Sequence, residues 1–220
     1  MKRSLLFSFL AIIIISSSCA RRRTMERVQG YGIRTIAILP IDLTVAGTKP
    51  TKISAEEYQK RIERNRKYMY NALYIDLVQF ADVRLRKYSQ AEFQSQDKTR
   101  QLLAEKGITD SAAQLMDASD LAKILGVDAI IKTSITQNRV LSDEAAFGVD
   151  VIGGVIRSTG ANLPLPTGAA RTSDIFVSCA LIKSGYAVWS TRFNNSTDWN
   201  YPIELAMQDV TRGIARRFPL

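Results

Sequence analysis

The chain has 220 residues, 46% of them hydrophobic, and 30 basic against 21 acidic side chains, a formal net charge of +9. That length supplies one ordinary core. It holds no histidine and no glycine-rich phosphate loop of the P-loop or dinucleotide type, which excludes Ser-His-Asp and Cys-His catalysis, histidine metal sites and the common nucleotide cradles.

The first residues, Met1-Lys2-Arg3, precede an apolar stretch from Leu5 to Ile15 and then Ser16-Ser17-Ser18-Cys19. A basic start, a short apolar middle and small residues at the cut are the parts of a secretory signal. About 11 apolar residues extend only ~17 Å as a helix, short of a ~30 Å hydrocarbon core, so the stretch reads as a signal and not as a span. Ser16-Ser17-Ser18-Cys19 resembles the bacterial lipoprotein signal, departing from it at Ser16, where Leu is commoner. The expected organisation is therefore a signal peptide over 1–18, a lipidated Cys19 with a basic tether over 19–32, and a periplasmic domain over 33–220. Diacylglycerol and an amide-linked acyl chain on Cys19 would be the only attached group, with no metal or other cofactor. Two or more chains anchor firmly where one alone binds marginally. Arg21, Arg22 and Arg23 follow directly and would sit among headgroup phosphates, adding about 1 kcal/mol each near an anionic surface. They read equally well as a solvated tether. An Asp after the lipidated cysteine resembles an inner-membrane retention signal in enteric bacteria; here the residue is Ala20, which favours the outer membrane.

Loss of Lys2 and Arg3 with the signal lowers the net charge to +7. A periplasmic address makes nucleic acid an improbable partner and leaves anionic lipid, acidic envelope polymers or a general solubilising charge. Cys179 is the one other cysteine, within an apolar strand-like run, and reads as a small buried hydrophobe.

Ile33–Ile41 is β-branched and apolar and reads as a buried strand stopped at Pro40, followed by a loop from Asp42 to Lys52. Ser54, with Glu57 three residues on, is a capping box, and the helix it opens reaches about Phe80, with Arg61, Arg64, Arg66 and Lys67 loading its first half. Val83-Arg84-Leu85-Arg86 alternates like a half-exposed strand. Ser89 to Lys106 is helical in part. A helix from about Ala112 to Leu125 is closed by Gly126 and runs straight into a strand from Val127 to Thr136. Residues 142–172 form an apolar, Gly- and Pro-bearing insertion; within it Phe147, Val151 and Val155 fit either a short helix or an alternating strand, and Gly160–Arg171 reads as a loop. A hairpin follows, Asp174–Lys183 and Ala187–Phe193 around Ser184-Gly185-Tyr186, then a helix from Pro202 to Phe218. The expected fold is a single α/β domain, a mixed sheet of about five strands flanked by helices.

Three segments carry a family resemblance. Ile36-Ala37-Ile38-Leu39-Pro40 is similar to the V-A-I-L-P opening of envelope lipoproteins related to the curli secretion lipoprotein and the lipoprotein activator of penicillin-binding proteins. Leu121 to Ile131 is similar to that group's L-G-x-L-L-G-A-D-Y-L-V joint, and Tyr186-Ala187-Val188-Trp189-Ser190 to its G-x-x-V-W-S hairpin. The resemblance implies a non-enzymatic α/β domain of the type at the N-terminus of TolB-like proteins. It implies two functions. One is a tethered adaptor that docks on an envelope protein. Tyr58, Tyr68, Tyr70 and Tyr74, interleaved with Arg61, Arg64, Arg66 and Lys67, are its candidate docking face, because Tyr and Arg are favoured at hot spots; the same helix also reads as amphipathic with a solvated basic side. The other is self-association into a curli-type secretion channel. A membrane strand needs about 9–11 alternating residues, and Ala145–Ile156 is the one candidate. Cys19→Ala is expected to release the protein from membranes in a salt wash; retention of the variant would contradict the lipid anchor.

Overall fold

Ile36, Ala37 and Ile38 are consecutive apolar residues, all buried, and they make β1 (Thr35–Ile38) a strand covered on both faces. The computed structural model describes residues 30–47, 53–85, 91–140, 171–198 and 203–219. Cys19, Arg21, Arg22, Arg23 and the candidate membrane strand Ala145–Ile156 lie outside the described residues.

The remaining elements are β2 (Asp42–Gly47), α1 (Ala55–Leu85), β3 (Glu92–Phe93), α2 (Gln96–Glu105), α3 (Asp110–Leu115), α4 (Ala118–Leu125), β4 (Ala129–Arg139), β5 (Arg171–Lys183), β6 (Tyr186–Asp198) and α5 (Ile203–Arg217). The six strands form one open mixed sheet in the order β3-β1-β4-β5-β6, with β2 also paired to β4. β1 and β2 are two halves of one edge of β4: Ile36–Ile38 run parallel to Ala129–Ile131, and Asp42–Gly47 run parallel to Ser134–Arg139. Pro40 lies between them and lacks the N–H that the ladder requires, so the strand is interrupted there and does not end. The loop expected from Asp42 is thus a strand as far as Gly47. Leu43 is buried while Asp42 and Thr44 are exposed, an alternation too brief and polar to stand out in sequence.

α1 and α5 cover one face of the sheet. Met69, Leu73 and Leu77 of α1 meet Met207, Val210 and Ile214 of α5 over Ile131, Ile135, Val177 and Cys179, and the Thr211 hydroxyl donates to the Asp76 carboxylate at 2.6 Å. Trp189 packs edge-on against Phe218 at 5.0 Å, which makes it a core residue. α1 opens as expected, with Ser54 Oγ accepting the Glu57 N–H at 3.1 Å, but continues through Val83 and Leu85. Their apparent strand alternation is too short to distinguish from helical exposure.

α2, α3 and α4 cover the other face, with Leu103, Leu121 and Leu125 packed on Ala37, Leu39 and Ile130. The single helix expected from Ala112 to Leu125 is two, because the Asp117 carboxylate accepts the Ser119 N–H at 2.7 Å and caps α4 in mid-run. Gly126 ends α4 at φ 65°, left-handed backbone that glycine adopts freely. Ser184 and Gly185 both have positive φ, 50° and 80°, and make a two-residue turn of the type that matches strand twist. The hairpin is longer than its apolar pattern suggested: β5 begins at Arg171, taking in the end of the expected loop, and β6 begins at Tyr186 and runs to Asp198.

Asp128 fastens β4 to β1. Its Oδ2 accepts the N–H groups of Arg34 and Thr35, each at 2.9 Å, and the Thr35 hydroxyl at 3.2 Å, while its own N–H reaches Thr35 O at 3.0 Å. The Arg34 backbone bond is the largest cause of a carboxyl held below the usual aspartate range, against the opposing effect of burial. Asp128→Ala is expected to destabilise the fold by about 1–2 kcal/mol, the low end for bonds to a charged group because water reaches the site. A carboxyl with a depressed native pKa contributes its stability above the ordinary range and loses it in acid. The difference between wild type and variant in urea melts should therefore be constant near neutrality and shrink below about pH 4.

Candidate functional site

A helix 31 residues long cannot bury its whole circumference against one sheet. On α1, Tyr58, Met69, Leu73 and Leu77 turn inward and are buried, while Arg61, Arg64, Tyr68 and Ile75 are exposed. Spacings of three, four and seven place those four on one outward row. Tyr68 is 43% exposed and Ile75 51%, the two large hydrophobic side chains that α1 leaves in water among the described residues.

This arrangement corrects the tyrosine part of the expectation. Tyr58 is 8% exposed and belongs to the interior. Tyr70 is buried and donates its hydroxyl to Ile38 O at 2.9 Å, bracing α1 on β1; burial raises its phenol above the ordinary range, against the lowering effect of Arg100. Tyr74 is partly buried against the core. The outward row therefore contains Arg61, Arg64 and Tyr68, together with Ile75, which carries no distinguishing signal in sequence because an isolated isoleucine in a helix usually faces the core.

Arg66 turns aside from that row. Its Nη1 contacts both Glu63 carboxylate oxygens, at 2.9 and 3.1 Å, and its Nε is buried with no hydrogen-bond partner among the described residues. It faces a cleft of about 380 Å³ between α1, Pro40, α2 and the start of α3, where Arg64, Lys67 and Arg100 join it and where Glu63 and Asp110 are the acidic members. The Arg100 guanidinium lies 4.9 Å from the centre of the Tyr70 ring, an orientation favoured by cation–π attraction. Arg100 is absent from the sequence expectations: it lies on another helix, 30 or more positions from its cleft neighbours on α1, and only the fold brings it there.

Two other reactive side chains, Cys179 and Lys132, serve the fold. Cys179 is fully buried, burial pushes its thiol up to about 12, and Thr133 donates to its sulfur at 3.3 Å. Lys132 donates to Gln114 O at 2.9 Å and Met116 O at 2.6 Å, serving the end of α3; burial lowers its pKa against the pull of Asp117. Among the described residues no group of three His, Cys, Asp or Glu side chains could hold a metal ion, and no helix is long and apolar enough to cross a membrane.

No family model matches the chain, and no curated protein does. Among solved structures, it is similar to the lipoprotein GNA1162 from Neisseria meningitidis, with 11% identity over 82% of this chain and 96% of that one, at a TM-score of 0.44. It is also similar to the C-terminal domain of LpoB from Salmonella enterica, with 10% identity over 74% of this chain and 82% of that one, at a TM-score of 0.32. A third similarity is to the PelC dodecamer from Paraburkholderia phytofirmans, with 9% identity over 84% and 87% of the two chains, at a TM-score of 0.36. All three overlaps are loose.

The two tyrosines should separate cleanly. Tyr70→Phe is expected to lower stability by about 1–2 kcal/mol through the orphaned Ile38 carbonyl, whereas Tyr68→Ala should stay within about 0.5 kcal/mol, as surface changes usually do. Denaturant melts of both variants measure the contrast.

Proposed function

We propose that the protein is a lipid-anchored, non-enzymatic adaptor or assembly factor of the bacterial cell envelope, held at the periplasmic side of the outer membrane through Cys19 and docking on an envelope protein through the outward row of α1. The observation that carries this reading is the row itself: Arg61, Arg64, Tyr68 and Ile75 exposed together on one long helix. A docking surface gains most from amphipathic aromatic and guanidinium side chains placed on an element that does not reorganise on contact. The partner such a row suits is an acidic surface with an apolar centre, able to pair with the two arginines and cover Tyr68 and Ile75. The lipoprotein-like signal before Cys19 and the resemblance of the three sequence segments to the envelope lipoprotein group support the compartment.

Arg61→Glu, Arg64→Glu and Tyr68→Ala together should leave the melting transition close to wild type, since none of the three is buried. The triple variant is expected to lose, on gentle detergent extraction, the envelope protein that crosslinks to the wild-type α1 row. Retention of the same crosslinked protein by a folded triple variant would remove the row from the docking surface.

A further inference from the structure

The cleft beside the row has a position and a charge of its own. The crossover between β1 and β3 runs through α1 on one face of the sheet, and the crossover from β3 to β4 runs through α2, α3 and α4 on the other. With β1 lying between β3 and β4, the chain reverses direction at β1. In open α/β sheets such a reversal leaves a crevice past the carboxyl ends of the strands, and ligands occupy it. Pro40, just past the end of β1, lines this cleft.

Its walls hold four cations, Arg64, Arg66, Lys67 and Arg100, against two carboxylates, Glu63 and Asp110. Glu63 is already engaged by Arg66 Nη1, and the Arg66 Nε donor is left without a partner among the described residues. Arg100 is held over Tyr70 by its ring face, so its donors are oriented before any ligand arrives. Planar guanidinium forks match tetrahedral oxyanions, and an ammonium group adds an adaptable point charge. We propose that this cleft is a binding site for a phosphoryl group, either that of a phospholipid headgroup or that of a soluble phosphate ester. The surplus of two positive charges suits a phosphate that keeps one or two negative charges near neutral pH. Arg64 is shared with the docking row, whereas Arg61, Tyr68 and Ile75 do not line the cleft, so variants at Arg61 and at Lys67 or Arg100 separate the two readings.

Calorimetric titration of the full chain in an uncharged alkyl maltoside detergent with inorganic phosphate tests it. Saturable binding is expected, weakened at least about tenfold in Lys67→Gln/Arg100→Gln, which removes two charged contacts, and unchanged in Arg61→Glu on the docking row. Should the double variant fold poorly, Lys67→Gln alone, at an exposed position, is expected to weaken binding measurably without altering the melt. Phosphatidylglycerol added to the micelles, with diacylglycerol, which lacks the phosphate, as the control, assigns the source: displacement of phosphate identifies a headgroup site, and no displacement identifies a soluble ester. No saturable heat with phosphate, or equal binding by wild type and the folded cleft variants, would overturn the proposal.

Discussion

β4 is the strand to which everything else is referred. It takes β1 and β2 along one edge and β5 along the other, and its burial changes character halfway along. Ala129, Ile130 and Ile131 are all buried, after which Thr133, Ile135 and Gln137 stay buried while Ser134 and Asn138 are exposed. A strand buried on both faces reads as a continuous apolar run, and one buried on a single face alternates. The change at Lys132 therefore marks where the layer of α2, α3 and α4 ends and the one-sided part of the sheet begins. Beyond it, among the described residues, the polar row Thr44, Thr136 and Asn194 surrounds Phe176, which is 50% exposed.

The same constraint produces the two surface features on α1. Residues of this helix that must cover β4 and meet α5 turn inward, which leaves Arg61, Arg64, Tyr68 and Ile75 on the far side. Residues at its flank meet the second helical layer across the gap opened by Pro40, and Arg66, Lys67 and Arg100 gather there. Tyr70 serves both, since its hydroxyl fixes α1 to Ile38 and its ring carries Arg100. The outward row and the basic cleft are thus two consequences of one helix crossing the reversal point of the sheet.

What the sequence discloses is what depends on near neighbours. The capping box at Ser54, the glycine stop at Gly126 and the tight turn at Ser184-Gly185 are local, and each marks its element directly. The break between α3 and α4 is also local, but the Asp117 cap sits inside a run that otherwise keeps helical spacing. β2 is illegible for a different reason: its six residues are strand because Ser134–Arg139 lie beside them, more than 90 positions away. In the candidate site, the arginine content of α1 is visible from composition, yet which tyrosines face water is not. Tyr58 and Tyr68 differ by ten positions, nearly three turns, and their exposure depends on where α5 and the sheet cover the helix. Arg100 is beyond the reach of any local pattern.

An adaptor and a ring-forming channel differ most in how many copies of the chain associate. Light scattering of the full-length protein after gentle detergent extraction measures that directly. A monomer, or a small complex of one copy with a different protein, is expected for an adaptor that offers a single basic and aromatic row to a partner. A large closed assembly of this chain alone would contradict it, and would mean that the outward row of α1 meets another copy of itself or none.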